Sequence, residues 1–353
     1  MRIGTVDIQE QVALAPLTTF GIGGASRYFA TIHNEDQLTE ALDWASTANL
    51  PVFVLGGGSN LLVRDEGFAG LVLSIEIQGI PHHDLDLVEA GAGVVWDDFV
   101  SWMVDLGHAG IECMAGIPGS VGGTPVQNVG AYGQEVSEVI ERVRALDLRT
   151  GRFVELDKAA CRFRYRESLF NVDEPGRYIV TRVWFRLRPG GSPTLKYADL
   201  QKRFATQGSE NQELPSLAAV ATAVREIRRS KGMLLVEGDP DTKSAGSFFK
   251  NPVVKTGVLS AIGAAAGVSP EAVPHWPAGA DKIKLPAAWL LEKAGFVKGL
   301  RDGAVGISTR HTLALVNLGG ATFADVERLE RRIVATVSEK FGVKLVREPV
   351  VLG

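Results

Sequence analysis

The stretch Gly116-Ile-Pro-Gly-Ser-Val-Gly-Gly-Thr-Pro-Val-Gln-Asn-Val-Gly-Ala-Tyr-Gly133 places six glycines in eighteen residues. Such a run predicts neither a long helix nor core packing, because glycine brings no side chain and loses the most backbone entropy on ordering. It can instead bring bare backbone N–H groups against a large, flat, partly anionic ligand. A shorter run of the same kind, Leu55-Gly-Gly-Gly-Ser-Asn60, follows the apolar Pro51-Val-Phe-Val-Leu55. Neither contains G-x-G-x-x-G, the dinucleotide fingerprint of a Rossmann unit. Together they predict a phosphorylated cofactor held by a different backbone arrangement.

A chain of 353 residues is long enough for two or three domains, each with its own core. A net charge of -4 argues against a surface built for nucleic acid. The one basic cluster is Arg225, Arg228, Arg229 and Lys231. The first residues lack the apolar core of a signal peptide, and no window approaches the ~20 apolar residues of a membrane span. In that setting Cys113 and Cys161 read as reduced, buried thiols. The expectation is a cytoplasmic protein without a nucleic-acid partner.

Periodicity mixes strands and helices. Asn34 and Gln37 predict a capped helix with Leu38, Ala41, Leu42 and Ala45 on one face. Residues 51–55, 71–75 and 87–92 read as strands. Trp96, Phe99, Val100, Met103 and Val104 repeat at helical spacing, and Gly107 closes that helix. Residues 143–148 and 152–156 flank Arg149-Thr-Gly151 as a hairpin, and residues 178–187 form a further strand. Residues 189–216 are polar and read as a loop. Helices are expected near 217–230 and 285–295. Another enters at Thr322, with Asp325 three residues on and Val326, Leu329, Ile333 and Val337 on one stripe. Residues 343–352 read as a terminal strand.

Three segments could carry chemistry. Arg162-Phe-Arg-Tyr-Arg-Glu-Ser168 sets Arg166 among aromatics, and reads equally as a surface strand laced with ion pairs. In Ser244-Ala-Gly-Ser-Phe-Phe-Lys-Asn-Pro252, Ser247 lies between a tight turn and an apolar wall; a positioned hydroxyl and an ordinary turn serine both fit. Glu348 precedes Pro349 in an apolar strand, where an acid is costly to bury unless paired or protonated, or else faces water at a strand end. His33, His82, His83, His108, His275 and His311 show no zinc-ligand spacing, so no metal is expected. The His82-His83 pair reads as a solvated loop. His108, upstream of the longer glycine run, stays open as a site of covalent cofactor attachment. No G-x-S-x-G elbow of a hydrolase occurs.

These motifs, with Thr18-Thr-Phe-Gly-Ile-Gly-Gly24 and Tyr165-Arg-Glu-Ser168, stand in an order that resembles the UDP-N-acetylenolpyruvoylglucosamine reductases over almost the whole chain. The resemblance implies an α+β protein: a two-lobed FAD-binding domain of the vanillyl-alcohol-oxidase (PCMH) type, followed by an α+β substrate domain. It sets the first lobe at residues 1–78, joined by a terminal strand at 343–353, the second at 79–216, and the UDP-sugar domain at 217–342. Non-covalent FAD would be held by Gly56, Gly57, Gly58, Ser59, Asn60, Pro118, Gly119, Ser120, Gly122, Gly123, Gln127, Asn128, Gly130, Ala131, Tyr132 and Val180. Arg166, Ser247 and Glu348 fall on catalytic positions. Tyr197 matches the tyrosine of a loop that covers the substrate diphosphate in one of two subtypes. Lys231, Lys250 and Asn251 match diphosphate and uridine-side contacts. Residues 232–243 and 307–313 lie outside the matching motifs, which leaves His311 without a role.

The reaction so implied takes UDP-N-acetylglucosamine enolpyruvate to UDP-N-acetylmuramate for peptidoglycan, with NADPH as donor and the protein a monomer. Hydride would add to the terminal carbon of the enol ether, and Arg166 would face the charge growing on the carboxylate. Glu348 would help only as a neutral acid, and Ser247 would deliver the proton. An oxidase on the same scaffold would be supported by a histidyl-flavin link, which His108 leaves open, and by a substrate domain without Gly-Ser-Phe-Phe-Lys-Asn-Pro, which this chain has. A non-catalytic binding protein would lack one of Arg166, Ser247 and Glu348, and all three are present.

Overall fold

The structure, a computed structural model, describes residues 1–80, 82–205 and 214–353, the side chains of His82 and His83 excepted. Part of the 189–216 loop therefore lies outside the described residues. The chain divides into two compact units. The first comprises Met1–Val12, Ser26–Gly57 and Ala69–Ser230, the second Ala13–Ala25, Gly58–Phe68 and Lys231–Gly353. The helix Leu217–Ser230 thus packs in the first unit rather than opening a third.

Two five-stranded sheets build the first unit. One runs in the order Arg2–Ile3, Val6–Ala13, Ala25–Ile32, Phe68–Ile75, Val52–Leu55. The other runs Arg152–Asp157, Ile140–Asp147, Tyr178–Arg186, Leu87–Gly91, His82–Asp84, with antiparallel pairing throughout. The predicted hairpin is present, Leu146 facing Phe153. The backbone of His82 and His83 forms a short edge strand, not the expected loop.

Helix Glu35–Thr47 starts where the caps require. The Asn34 side chain accepts from the Gln37 amide and the Gln37 side chain from the His33 amide, so two otherwise orphaned donors are satisfied. Leu38, Ala41 and Ala45 are buried and Leu42 partly so. Glu35, in the first turn, clamps the second sheet: it takes both Arg144 Nε and Nη2, at 2.8 and 2.9 Å, and the Thr181 hydroxyl. Helix Trp96–Asp105 buries all five apolar residues of its stripe.

In the second unit, helix Phe323–Phe341 carries the expected reciprocal cap between Thr322 and Asp325 and ends at Gly342, in the left-handed region at φ 65. Its stripe Val326, Leu329, Ile333 and Val337 packs with helices Leu259–Ala266 and Ala287–Lys293 around Phe248, Phe249 and Leu290. The terminal strand is shorter than predicted. Only Val350–Leu352 pairs, parallel to Leu61–Val63 just after the shorter glycine run. Residues 343–346 alternate buried and exposed without joining a ladder.

Candidate functional site

In the first unit the two glycine-rich runs lie against each other. A Cβ on Gly57 would fall 2.5 Å from the Gly119 Cα, and one on Gly56 would fall 3.3 Å from the Ser120 hydroxyl. Glycine is required at 57 by this approach of two backbones. Among the described residues, the amides of Gly56, Gly57, Gly119 and Ser120 donate to no protein acceptor. Unpaired N–H groups on two touching loops suit a pyrophosphate, which accepts several hydrogen bonds and needs close backbone approach. The residues present fit the phosphate portion of FAD.

The rest of the long run is less bare than its composition predicts. The Val121, Gly122 and Gly123 amides donate to Val94, Ala92 and Ser120. Val121 is fully buried in the core, contrary to the expectation that this run packs nothing. A Cβ on Gly122 would meet that of Ala92 at 2.5 Å. The Asn128 side chain is likewise engaged, donating to Glu135 and to the Arg164 carbonyl and accepting from Ser137. Gly130–Ala131 pairs with Gln134–Glu135 in a hairpin, with Tyr132 at its tip at φ 49. Val180 is buried in Tyr178–Arg186.

Arg166 is not on a surface strand. Arg164 and Glu167 exchange both backbone hydrogen bonds, which makes Tyr165 and Arg166 the centre of a tight turn. Arg166 has φ 58, a conformation such turns normally give to glycine or asparagine. Its Nη1 and Nη2 donate to the Asn128 and Gly130 carbonyls at 3.2 and 2.6 Å, so the guanidinium is braced by the glycine-rich run. The ion pairs expected of this segment do occur, at Arg164 with Glu167 and Asp173.

The basic cluster turns out to hold the same run. Asp97 accepts from the Gly116 amide and from two nitrogens of Arg225, and Arg228 Nε donates to the Gly116 carbonyl. Burial lowers the Arg228 pKa below the ordinary guanidinium value. The i, i+3 spacing of Arg225 and Arg228 on one helix is the sequence signal for this bracing role. Tyr197 is half-exposed, its ring edge-on to Tyr132 with centroids 5.0 Å apart. His108 is buried in a short strand, its Nε2 at 2.9 Å from the Leu85 carbonyl.

The backbone segments that carry Ser247 and Glu348 pair in the second unit. Residues 244–250 thread between two other segments: Ser244 bridges Val316, the Phe248 amide donates to Leu313, and Phe249 bridges Arg347. Gly246 turns the chain at φ 72, buried Phe248 and Phe249 anchor the far side, and Ser247 is left half-buried between them. The Glu348 amide donates to the Phe248 carbonyl at 2.9 Å. Glu348 is half-buried and lies ahead of the terminal strand, not in it. Asn60 meets it from the glycine-rich side: Nδ2 donates to the Glu348 carbonyl, and the Asn60 carbonyl accepts from Val350. Thr19 ties the corner, donating from its hydroxyl to Ser244 and Ser59 and from its amide to Gly58. Gly58 has φ 62, and a Cβ there would fall 2.0 Å from the Leu17 carbonyl.

Asn251 has a structural duty, its side chain accepting from the Ala287 amide at the start of a helix. Lys250 is half-buried and held by its amide to Val346. Lys231 and Lys298 act on His311, whose pKa is lowered to about 4 first by burial and then by these two cations. Its Nδ1 accepts from the Leu313 amide at 3.0 Å, as a neutral ring does. Cys113 and Cys161 are buried free thiols, and among the described residues no His, Cys, Asp and Glu group is arranged for a metal.

Residues 239–352 match the C-terminal domain of UDP-N-acetylenolpyruvoylglucosamine reductase, and residues 26–157 match an FAD binding domain. The UDP-N-acetylenolpyruvoylglucosamine reductase of Thermobifida fusca is 43% identical, over 99% of both chains. That of Streptomyces coelicolor is 45% identical, over 96% of this chain and 89% of its own. The crystal structure of UDP-N-acetylenolpyruvylglucosamine reductase from Thermus caldophilus superposes with a TM-score of 0.67 at 27% identity, over 99% of this chain and 100% of that one. The chain belongs to the UDP-N-acetylenolpyruvoylglucosamine reductases, FAD-dependent oxidoreductases of cell-wall synthesis.

Proposed function

We propose that the protein reduces the enolpyruvyl group of UDP-N-acetylglucosamine enolpyruvate to give UDP-N-acetylmuramate, with NADPH as donor and Ser247 as proton source. The observation that carries this is the backbone of Glu348, which donates to the Phe248 carbonyl next to Ser247 and accepts from Asn60 at the end of a glycine-rich run. FAD bound there would supply the hydride chemistry, with NADPH as the source and the terminal carbon of the enol ether as the acceptor. Residues 56–60 and 118–132 hold that cofactor, chiefly through the amides of Gly56, Gly57, Gly119 and Ser120.

Arg166 faces the charge that grows on the substrate carboxylate. A guanidinium stays cationic and can meet two oxygens at once, and the two loop carbonyls hold its plane. Glu348, as a neutral acid, donates a hydrogen bond to the same charge. Ser247 gives its proton to the carbon bearing the ether oxygen, a centre basic enough in the enolate to take it from a hydroxyl. Tyr197, Lys231, Lys250 and Asn251 bind the UDP portion, Tyr197 as the covering residue. The same proposal takes the enzyme as a cytoplasmic monomer, which gel filtration checks. Among the described residues no helix is long and apolar enough to cross a membrane.

The test uses the yellow holoenzyme under anaerobic conditions. NADPH should bleach it and the enolpyruvyl sugar should restore the colour. Recovery with oxygen but not with the sugar would sink the proposal.

A further inference from the structure

We propose that Glu112 is a positioning residue that holds the stem of the Tyr197 segment against the glycine-rich hairpin. Glu112 is fully buried, and among the described residues it has no ion-pair partner. Burying a carboxylate is costly unless its oxygens are satisfied. Here every contact is an N–H donor: Oε2 accepts from the Gly110 amide at 2.7 Å, and Oε1 from the Thr194 amide at 2.7 Å and Gln134 Nε2 at 2.9 Å. Both oxygens must accept, so a carboxylate suits this position and a carboxamide does not.

The three donors lie on three stretches of chain. Gly110 precedes the long glycine run, Gln134 lies in the hairpin just past Tyr132, and Thr194 lies three residues before Tyr197. Gln134 closes the network by donating to the Thr194 hydroxyl and accepting from the Cys113 amide, while the Cys113 thiol meets the Thr194 carbonyl at 3.2 Å. The approach to Thr194 is fixed as well. Arg188 and Pro189 pair with Ala109 and His108, and the Gly190 amide donates to Gly107. Three residues span at most about 10 Å, so an anchored Thr194 confines where Tyr197 can go. Its ring meets Tyr132, on the hairpin that Gln134 belongs to. Glu112 therefore sets the cover and the cofactor loop in one frame without touching a ligand.

The proposal rests on Tyr197 acting as the substrate cover, and the test separates the two. In Glu112→Gln holoenzyme, hydrogen exchange at residues 194–197 should speed up and the KM for the enolpyruvyl sugar should rise, each about 10-fold or more, with bleaching by NADPH within about twofold of wild type. Tyr197→Ala is run beside it. Unchanged exchange in Glu112→Gln overturns the anchor; so does faster exchange with KM unmoved when Tyr197→Ala raises KM. A Tyr197→Ala enzyme with normal KM instead refutes the cover, and exchange alone then decides the anchor. If Glu112→Gln does not fold, Thr194→Val, at a half-buried residue, removes only the hydroxyl contact with Gln134. It should show the same pattern at smaller size, and no change in either quantity overturns the proposal.

Discussion

Arg166 occupies a turn position with φ 58, where a side chain costs about 1–3 kcal/mol. Arg166→Gly relieves that strain but loses the two hydrogen bonds to loop carbonyls, so unfolding free energy should stay within about 1 kcal/mol of wild type. On the role proposed for Arg166, turnover should fall by about 100-fold or more. Chemical unfolding and steady-state assays check the two halves. Ser247→Ala should leave bleaching by NADPH nearly intact and slow reoxidation by the enolpyruvyl sugar about 100- to 10,000-fold, measured by stopped flow; equal loss in both halves would refute its role as proton donor.

His311 gives a pH dependence. Its pKa is about 4 in the folded chain and near 6.5 in the unfolded one. Between those values the unfolded state binds the extra proton, so stability is full above about pH 6.5 and declines as pH falls toward 4. His311→Gln should flatten that part of the acid limb, read from urea midpoints at pH 7 and 5. Arg166 and Ser247 were legible as residues, whereas the turn that strains Arg166 was not. Five consecutive cations and aromatics, Arg162 to Arg166, read as a strand until Arg164 and Glu167 are seen to pair.

At the scale of elements, the two glycine-rich runs separate into positions that serve packing and positions whose amides stay unpaired and are proposed to meet the cofactor. Gly122→Ala forces a methyl into Ala92 inside the core and should cost about 1–3 kcal/mol, seen as a lower melting temperature. Gly57→Ala pushes the exposed 56–57 turn away from the half-buried Gly119 backbone. It should weaken FAD retention about 10-fold or more with a smaller loss of stability, measured by fluorescence titration of released flavin. Helix starts at Asn34 and Thr322 were legible because a cap is a local bargain between a side chain and amides three residues on. The terminal strand was overextended because alternation of buried and exposed residues marks extended backbone, and only a partner makes it a strand.

For the whole molecule, the chain passes between its two units five times, at 12/13, 25/26, 57/58, 68/69 and 230/231. One of those passages splits the shorter glycine run, leaving Gly56 and Gly57 in the first unit and Gly58 to Asn60 in the second. A ligand that binds only the folded chain stabilises it by mass action. Free FAD at 100-fold its dissociation constant should therefore add about 2.7 kcal/mol over the flavin-free protein, shown by thermal melts across a flavin titration.

By itself the sequence determined most helices and strands, the caps, the non-Rossmann glycine runs and which side chains are candidates for the chemistry. These come from local periodicity and from residue types whose chemistry does not depend on their surroundings. Only the tertiary structure decided which glycine amides are spent on the chain and which stay unpaired. It also decided that Arg225, through Asp97, and Arg228 brace Gly116, that buried Glu112 ties Thr194 to Gln134, and that Glu348 pairs with Phe248 ahead of the final strand. The physical reason is distance along the chain: each of these contacts joins residues too far apart in sequence for local pattern to pair them, and a hydrogen bond forms only where folding has already brought donor and acceptor together.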